Sequence, residues 1–121
     1  MTDFGNVRDY KADNPLDCYE TPEIAIKSLW IKEDIPNIVW EPCCGPGAIV
    51  NFLRGQGITV IASDIKDYGC PDSSVKDFFE IKKAETPCMV INPPFRTADK
   101  FVRHGFNIGI VTGKQIGRAH V

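Results

Sequence analysis

An apolar strand that runs straight into Asn92-Pro93-Pro94-Phe95, in the segment VINPPFRTADK, is suited to something other than strand pairing. Neither proline has an N–H to donate to a neighbouring strand, so the ladder should stop there and Asn92 and Phe95 should act at the strand's end. Three other strand ends carry unusual residues. In EPCCGPG, Gly45 and Gly47 allow backbone to approach a ligand closely, and the helix that follows points its positive end at it. In ASDI, Asp64 follows the glycines by about 20 residues, the spacing at which an acidic side chain can accept both hydroxyls of a ribose. Its charge would repel a second phosphate, which favours a nucleoside ligand; a helix cap or turn residue is the competing reading. In KDFFE, Asp77 could accept a hydrogen bond from an exocyclic amine and Phe78 could lie against a purine face, whereas Phe78 and Phe79 taken alone read as core residues.

The elements that must position these ends follow from patterning. Residues 1–16 are polar, with Gly5, Asn14 and Pro15 among them, and read as a loose leader. TPEIAIKSLW reads as a helix, with Thr21 as cap, Pro22 at the first helical position, Glu23 near the positive end, and Ala25, Ile26, Leu29 and Trp30 on one face. NIVWEP, TVIASDI and PCMVINPP read as buried strands, with VKDFFEIKK a weaker segment between the last two. AIVNFLRGQG reads as a helix with Gly55 and Gly57 as exit signals, RTADKFVRHGF as another, and NIGIVTG as the start of a further strand. Such alternation predicts a right-handed, mostly parallel α/β sheet, and 121 residues with 43% hydrophobic content suit one modest core.

Composition narrows the function classes. A formal net charge of -2 excludes an arginine-rich nucleic-acid binder but permits a local basic patch. No basic, then apolar, leader opens the chain and no long apolar run crosses it, so secretion and membrane spanning are not expected. Cys18, Cys43, Cys44, Cys70 and Cys88 show no metal-site spacing, and read as free thiols of a reducing cytoplasm.

Taken in order, the glycine turn, the acidic strand end, Asp-Phe and Asn-Pro-Pro-Phe resemble the Rossmann-like class I S-adenosylmethionine-dependent methyltransferases. Asn-Pro-Pro-Phe is the form typical of amino-group enzymes, above all the DNA adenine methyltransferases, and the resemblance runs from roughly Asp17 to Phe106. It implies S-adenosyl-L-methionine as cofactor, with Glu41, Gly45 and Gly47 around its methionine part, Asp64 on the ribose, and Asp77 with Phe78 on the adenine. DCYETPE is similar to the segment that closes over the cofactor in these enzymes, which gives Tyr19, Thr21 and Pro22 a binding role; a plain helix cap with Tyr19 packed behind it is the other reading.

The implied chemistry accounts for the composition of the clamp. An aromatic exocyclic amine is a poor nucleophile because its lone pair is delocalised, so acceptors must draw its hydrogens and favour a more tetrahedral nitrogen. The Asn92 side-chain oxygen and the Pro93 carbonyl can be those acceptors, Pro93 and Pro94 hold them in place, and Phe95 offers a face to a base taken out of its stack. No metal and no catalytic His or Cys is required; Cys43 and Cys44 lie in the cofactor loop and are not read as a nucleophile. Arg96, Lys100, Arg103 and His104 could meet a nucleic-acid backbone, or simply form a solvated helix face. DNA is thus the expected partner, in a bacterial or phage-encoded cytoplasmic protein. A guanine amine in RNA, a glutamine amide in a protein, and a binding module without turnover are the alternatives.

The resemblance also implies a larger sheet, so residues 17–114 are expected to form a partial, C-terminally truncated methyltransferase domain, marginal and inactive when expressed alone. The tail QIGRAHV, residues 115–121, is similar to a translated sequencing adapter and is expected to be non-native, so the fold is read without it.

Overall fold

The computed structural model describes residues 21–93 and 95–116, with the side chain of Phe95 excepted. The leader, Tyr19, Pro94 and residues 117–121 lie outside the described residues. Five strands, β1 (Ile38–Glu41), β2 (Thr59–Asp64), β3 (Ser73–Val75), β4 (Cys88–Ile91) and β5 (Thr112–Gln115), form one sheet in the order β3-β2-β1-β4-β5. Every pairing is parallel, and the order is that of a Rossmann-like α/β sheet.

Helices α1 (Glu23–Lys32), α2 (Ala48–Gly55) and α3 (Ala98–Asn107) cover its faces. A parallel sheet covered on both sides needs apolar side chains pointing both ways, which is why β1 and β4 read as continuous apolar runs. Val39, Cys88 and Val90 join Ile26 of α1 and Ile49, Val50 and Leu53 of α2 in one core cluster. Trp40, Met89 and Ile91 point the other way and join Phe78, Phe101 of α3 and Ile110 in a second.

Three expectations are corrected. Thr21 does not cap α1: Pro22 is the N-cap, extended at φ -62° and ψ 141°, and so precedes the first helical position. The segment VKDFFEIKK is not a strand. The sheet's edge strand is the earlier Ser73–Val75, and Phe78–Glu80 form a 3-10 turn because Asp77 Oδ1 accepts the Phe79 N–H at 3.0 Å, a local bond that competes with a ladder. The strand expected in NIGIVTG begins only at Thr112. Its first half ends α3: Ile110 N–H reaches the Gly105 carbonyl at 3.0 Å around Gly109 at φ 117°, a left-handed helix exit that places Ile110 in the aromatic core.

The first two residues of the tail, Gln115 and Ile116, pack on the fold. Gln115 closes β5 opposite Ile91, and Ile116 donates its N–H to the Ile91 carbonyl at 2.9 Å and is 4% exposed in the first core cluster. An apolar side chain in parallel register there finds a buried place whatever its origin. Among the described residues no helix is long and apolar enough to cross a membrane.

Candidate functional site

In an open parallel sheet, ligands bind beyond the carboxyl ends of the strands where the strand order reverses. Here the chain proceeds outward from β1 to β2 and β3, then returns to place β4 on the other side of β1. The reversal therefore lies between β1 and β4, and Glu41 and Asn92 stand at the two carboxyl ends that flank it.

The glycine turn after β1 is tied to the end of β2 by two bonds. Cys44 N–H donates to the Ser63 carbonyl at 2.9 Å, and Gly45 N–H donates to Asp64 Oδ2 at 2.8 Å. Asp64 is 3% exposed, and its Oδ1 accepts the Ile65 N–H at 2.7 Å, so this carboxylate shapes the turn as well as facing the strand ends. Glu41, 1% exposed, accepts the Cys43 N–H at 2.9 Å and anchors the same turn from β1.

Gly47 starts α2 at φ 108°, and a Cβ added there would stand 3.0 Å from Cys70 Sγ. The left-handed backbone and the close sulfur both demand glycine. Cys70 itself is held in a loop that Arg54 fastens to the sheet, through bonds to the carbonyls of Pro71 at 2.7 Å, Val60 at 2.8 Å and Asp72 at 3.1 Å. Patterning did not single out Arg54 or Cys70, because neither has a sequence neighbour that reveals its partner.

Cys43, Cys44, Cys70 and Cys88 are all free thiols. Burial, then the neighbouring Cys70, Glu41 and Asp64, push the Cys44 thiol far above its ordinary range, and burial also raises Cys70 and Cys88. A thiol kept protonated in this way is a poor nucleophile.

Beyond β3, the Asp64 carbonyl accepts the Lys76 N–H at 2.8 Å, which brings Asp77 to the same edge of the sheet. Asp77 caps the 3-10 turn. Phe78 lies in the core reading: it is 3% exposed, stacked on Phe101 at 5.1 Å and 6°, with Trp40 at 5.4 Å. Its ring is therefore a packing group, and Asp77 is the part of the pair left at the strand edge.

At the end of β4, Asn92 Nδ2 donates to Thr21 Oγ1 at 2.9 Å. The hydroxyl read as a helix cap thus meets Asn92 from across the sequence. Pro93 is buried behind it, and the backbone of Phe95 opens a 3-10 turn, Phe95–Thr97, that leads into α3. Arg96 in that turn and Lys100 and Arg103 along α3 are exposed. His104 is not part of that face: it turns inward, its Nε2 2.9 Å from the Ile81 carbonyl and its ring 5.0 Å from Phe78.

Thr21, Glu41, Gly45, Gly47, Asp64, Asp77, Asn92 and Pro93 therefore share the carboxyl edge of one sheet, Phe78 lies beneath it, and Tyr19, Pro94 and the Phe95 ring lie outside the described residues. Among the described residues no group of three or more His, Cys, Asp or Glu side chains could hold a metal ion. No protein-family model matches the chain, and no curated protein matches it.

Proposed function

We propose that this chain carries the cofactor and amine sites of an S-adenosylmethionine-dependent methyltransferase that acts on the exocyclic amine of adenine in DNA. The observation that carries the reading is the position of Asn92-Pro93 at the end of β4, across the reversal point from a glycine turn bonded to Asp64. A Cβ added at Gly45 would meet nothing within 4 Å, so the turn presents bare backbone to open space, as a closely held ligand requires. Glu41, Asp64 and Asp77 make this edge acidic, which suits a ligand rich in hydroxyl, amino and cationic groups and disfavours phosphate.

In this reading Glu41, Gly45 and Gly47 hold the methionine part, Asp64 the ribose hydroxyls and Asp77 the adenine amine. The bound cofactor supplies an electrophilic methyl group on a positively charged sulfur. Asn92 Oδ1 and the Pro93 carbonyl accept the two hydrogens of the target amine and draw its lone pair out of the ring. Pro93 and Pro94 fix the acceptors before the base arrives, so little ordering entropy is lost on binding, and Phe95 supplies the stacking face. The exposed Arg96, Lys100 and Arg103 follow the clamp directly and favour a phosphate-backed acceptor over a protein side chain.

The test, made on the longer product that the resemblance implies, is transfer of labelled methyl from S-adenosylmethionine to duplex DNA with and without adenine, to RNA, and to a glutamine-bearing protein. Incorporation confined to adenine-containing duplex is expected, and Asn92→Ala should remove at least about 100-fold of it, the loss typical of a stabilising contact at the reacting atoms. Incorporation into RNA or protein alone would reassign the acceptor. Cofactor binding with no transfer to any of them would make the chain a binding module.

A further inference from the structure

A carboxamide has two arms of similar size and opposite hydrogen-bonding sense. If Asn92 is to accept an amine hydrogen, Oδ1 must meet the amine; rotation by half a turn would present Nδ2, which repels it. Something must hold the group one way round. The bond from Nδ2 to Thr21 Oγ1, at 2.9 Å and half-buried, joins residues 71 apart in sequence and commits the donor arm to the start of α1. We infer that Thr21 is a positioning residue whose hydroxyl oxygen holds the Asn92 carboxamide with Oδ1 toward the target amine. The inference rests on the reading of Asn92 as an amine acceptor.

Two measurements decide it. In the 15N-labelled full chain, the Asn92 side-chain amide pair is identified by its disappearance in Asn92→Asp, and its exchange with water is followed. One Nδ2 hydrogen should exchange at least about tenfold more slowly than those of exposed Asn side chains, the factor expected of one satisfied hydrogen bond. The protection should vanish in Thr21→Val and return in Thr21→Ser. Exchange at the exposed rate in the unsubstituted chain, or protection that survives Thr21→Val, would overturn the inference.

The second measurement is kinetic and uses the longer product named for the methyl-transfer test. Thr21→Val should lower kcat for methyl transfer at least about fivefold, a loss of roughly one hydrogen bond's worth of positioning. The loss should shrink in an Asn92→Asp background, since a carboxylate has two equivalent oxygens and no wrong way round. An equal kcat loss in both backgrounds, or a change confined to cofactor KM, would reduce Thr21 to a structural or cofactor contact. Failure of the unsubstituted protein to methylate any acceptor would overturn the proposed function instead, while the exchange measurement still decides the Thr21 bond.

Discussion

The N–H of Gly45 and the carboxylate of Asp64, 19 residues apart, are joined at 2.8 Å, so the glycine turn after β1 and the acidic end of β2 form one rigid unit. The same carboxylate also takes the Ile65 N–H at 2.7 Å.

Removing it should therefore cost stability as well as ligand affinity. Asp64→Ala leaves two backbone donors without their acceptor in a nearly buried place, at about 1–3 kcal/mol of unfolding free energy. Urea denaturation checks the first effect and calorimetric titration with S-adenosylmethionine the second. Asp64→Asn keeps one acceptor oxygen and should fall between; full stability in Asp64→Ala would show that the turn holds its shape without this carboxylate.

At Gly47 two causes can be separated. Gly47→Ala places a side chain at φ 108° and 3.0 Å from Cys70 Sγ, and should destabilise by about 1–3 kcal/mol through backbone strain, with the clash added. Repeating it in a Cys70→Ala background removes the sulfur but not the backbone conformation. Part of the loss should return, and the part that does measures the clash.

Arg54 binds three carbonyls with one planar group. Arg54→Met should lower stability by about 1–2 kcal/mol, since these bonds are partly exposed, and should speed amide exchange in the loop around Cys70. Arg54→Lys should recover less than half, because an ammonium cannot span the fork. Identical exchange in that loop would show that Arg54 is not its fastener.

Cys44 gives a pH prediction whose sign follows from its burial. Its folded-state pKa is raised above the ordinary 9.0, so below about pH 9 both folded and unfolded thiols are protonated and stability is unaffected. Above that, the unfolded thiol ionises first and stability falls as pH rises. Cys44→Ala should lessen the loss between pH 9 and the onset of general alkaline unfolding, leaving the part that Cys70 and Cys88 contribute. At pH 8, iodoacetamide should modify Cys44 far more slowly in the folded chain than in urea, by mass spectrometry of the labelled peptide.

Much of this was legible in the sequence. Helix and strand periods, the helix exit at Gly57, and the residue types at four strand ends are local properties, because side-chain direction and backbone freedom repeat every few residues. They determined an α/β chain with its unusual residues at strand ends. Local pattern could not show that Asp77 would bend its segment into a 3-10 turn, or that Phe78 would stack on Phe101. Nor could it show that His104 would turn inward or Ile116 be buried. Those outcomes depend on what lies across the sheet.

The largest decision left to tertiary structure was the side of β1 on which β4 would lie, since that choice creates the reversal point and brings Asn92-Pro93 to the strand end next to the glycine turn. The hydroxyl of Thr21 shows the reason at the scale of one bond. By sequence it belonged to a helix start, where a cap is the nearest acceptor role; only packing of α1 over the end of β4 offered it Asn92. Short-range preference determined what each residue was able to do, and long-range packing chose among those abilities.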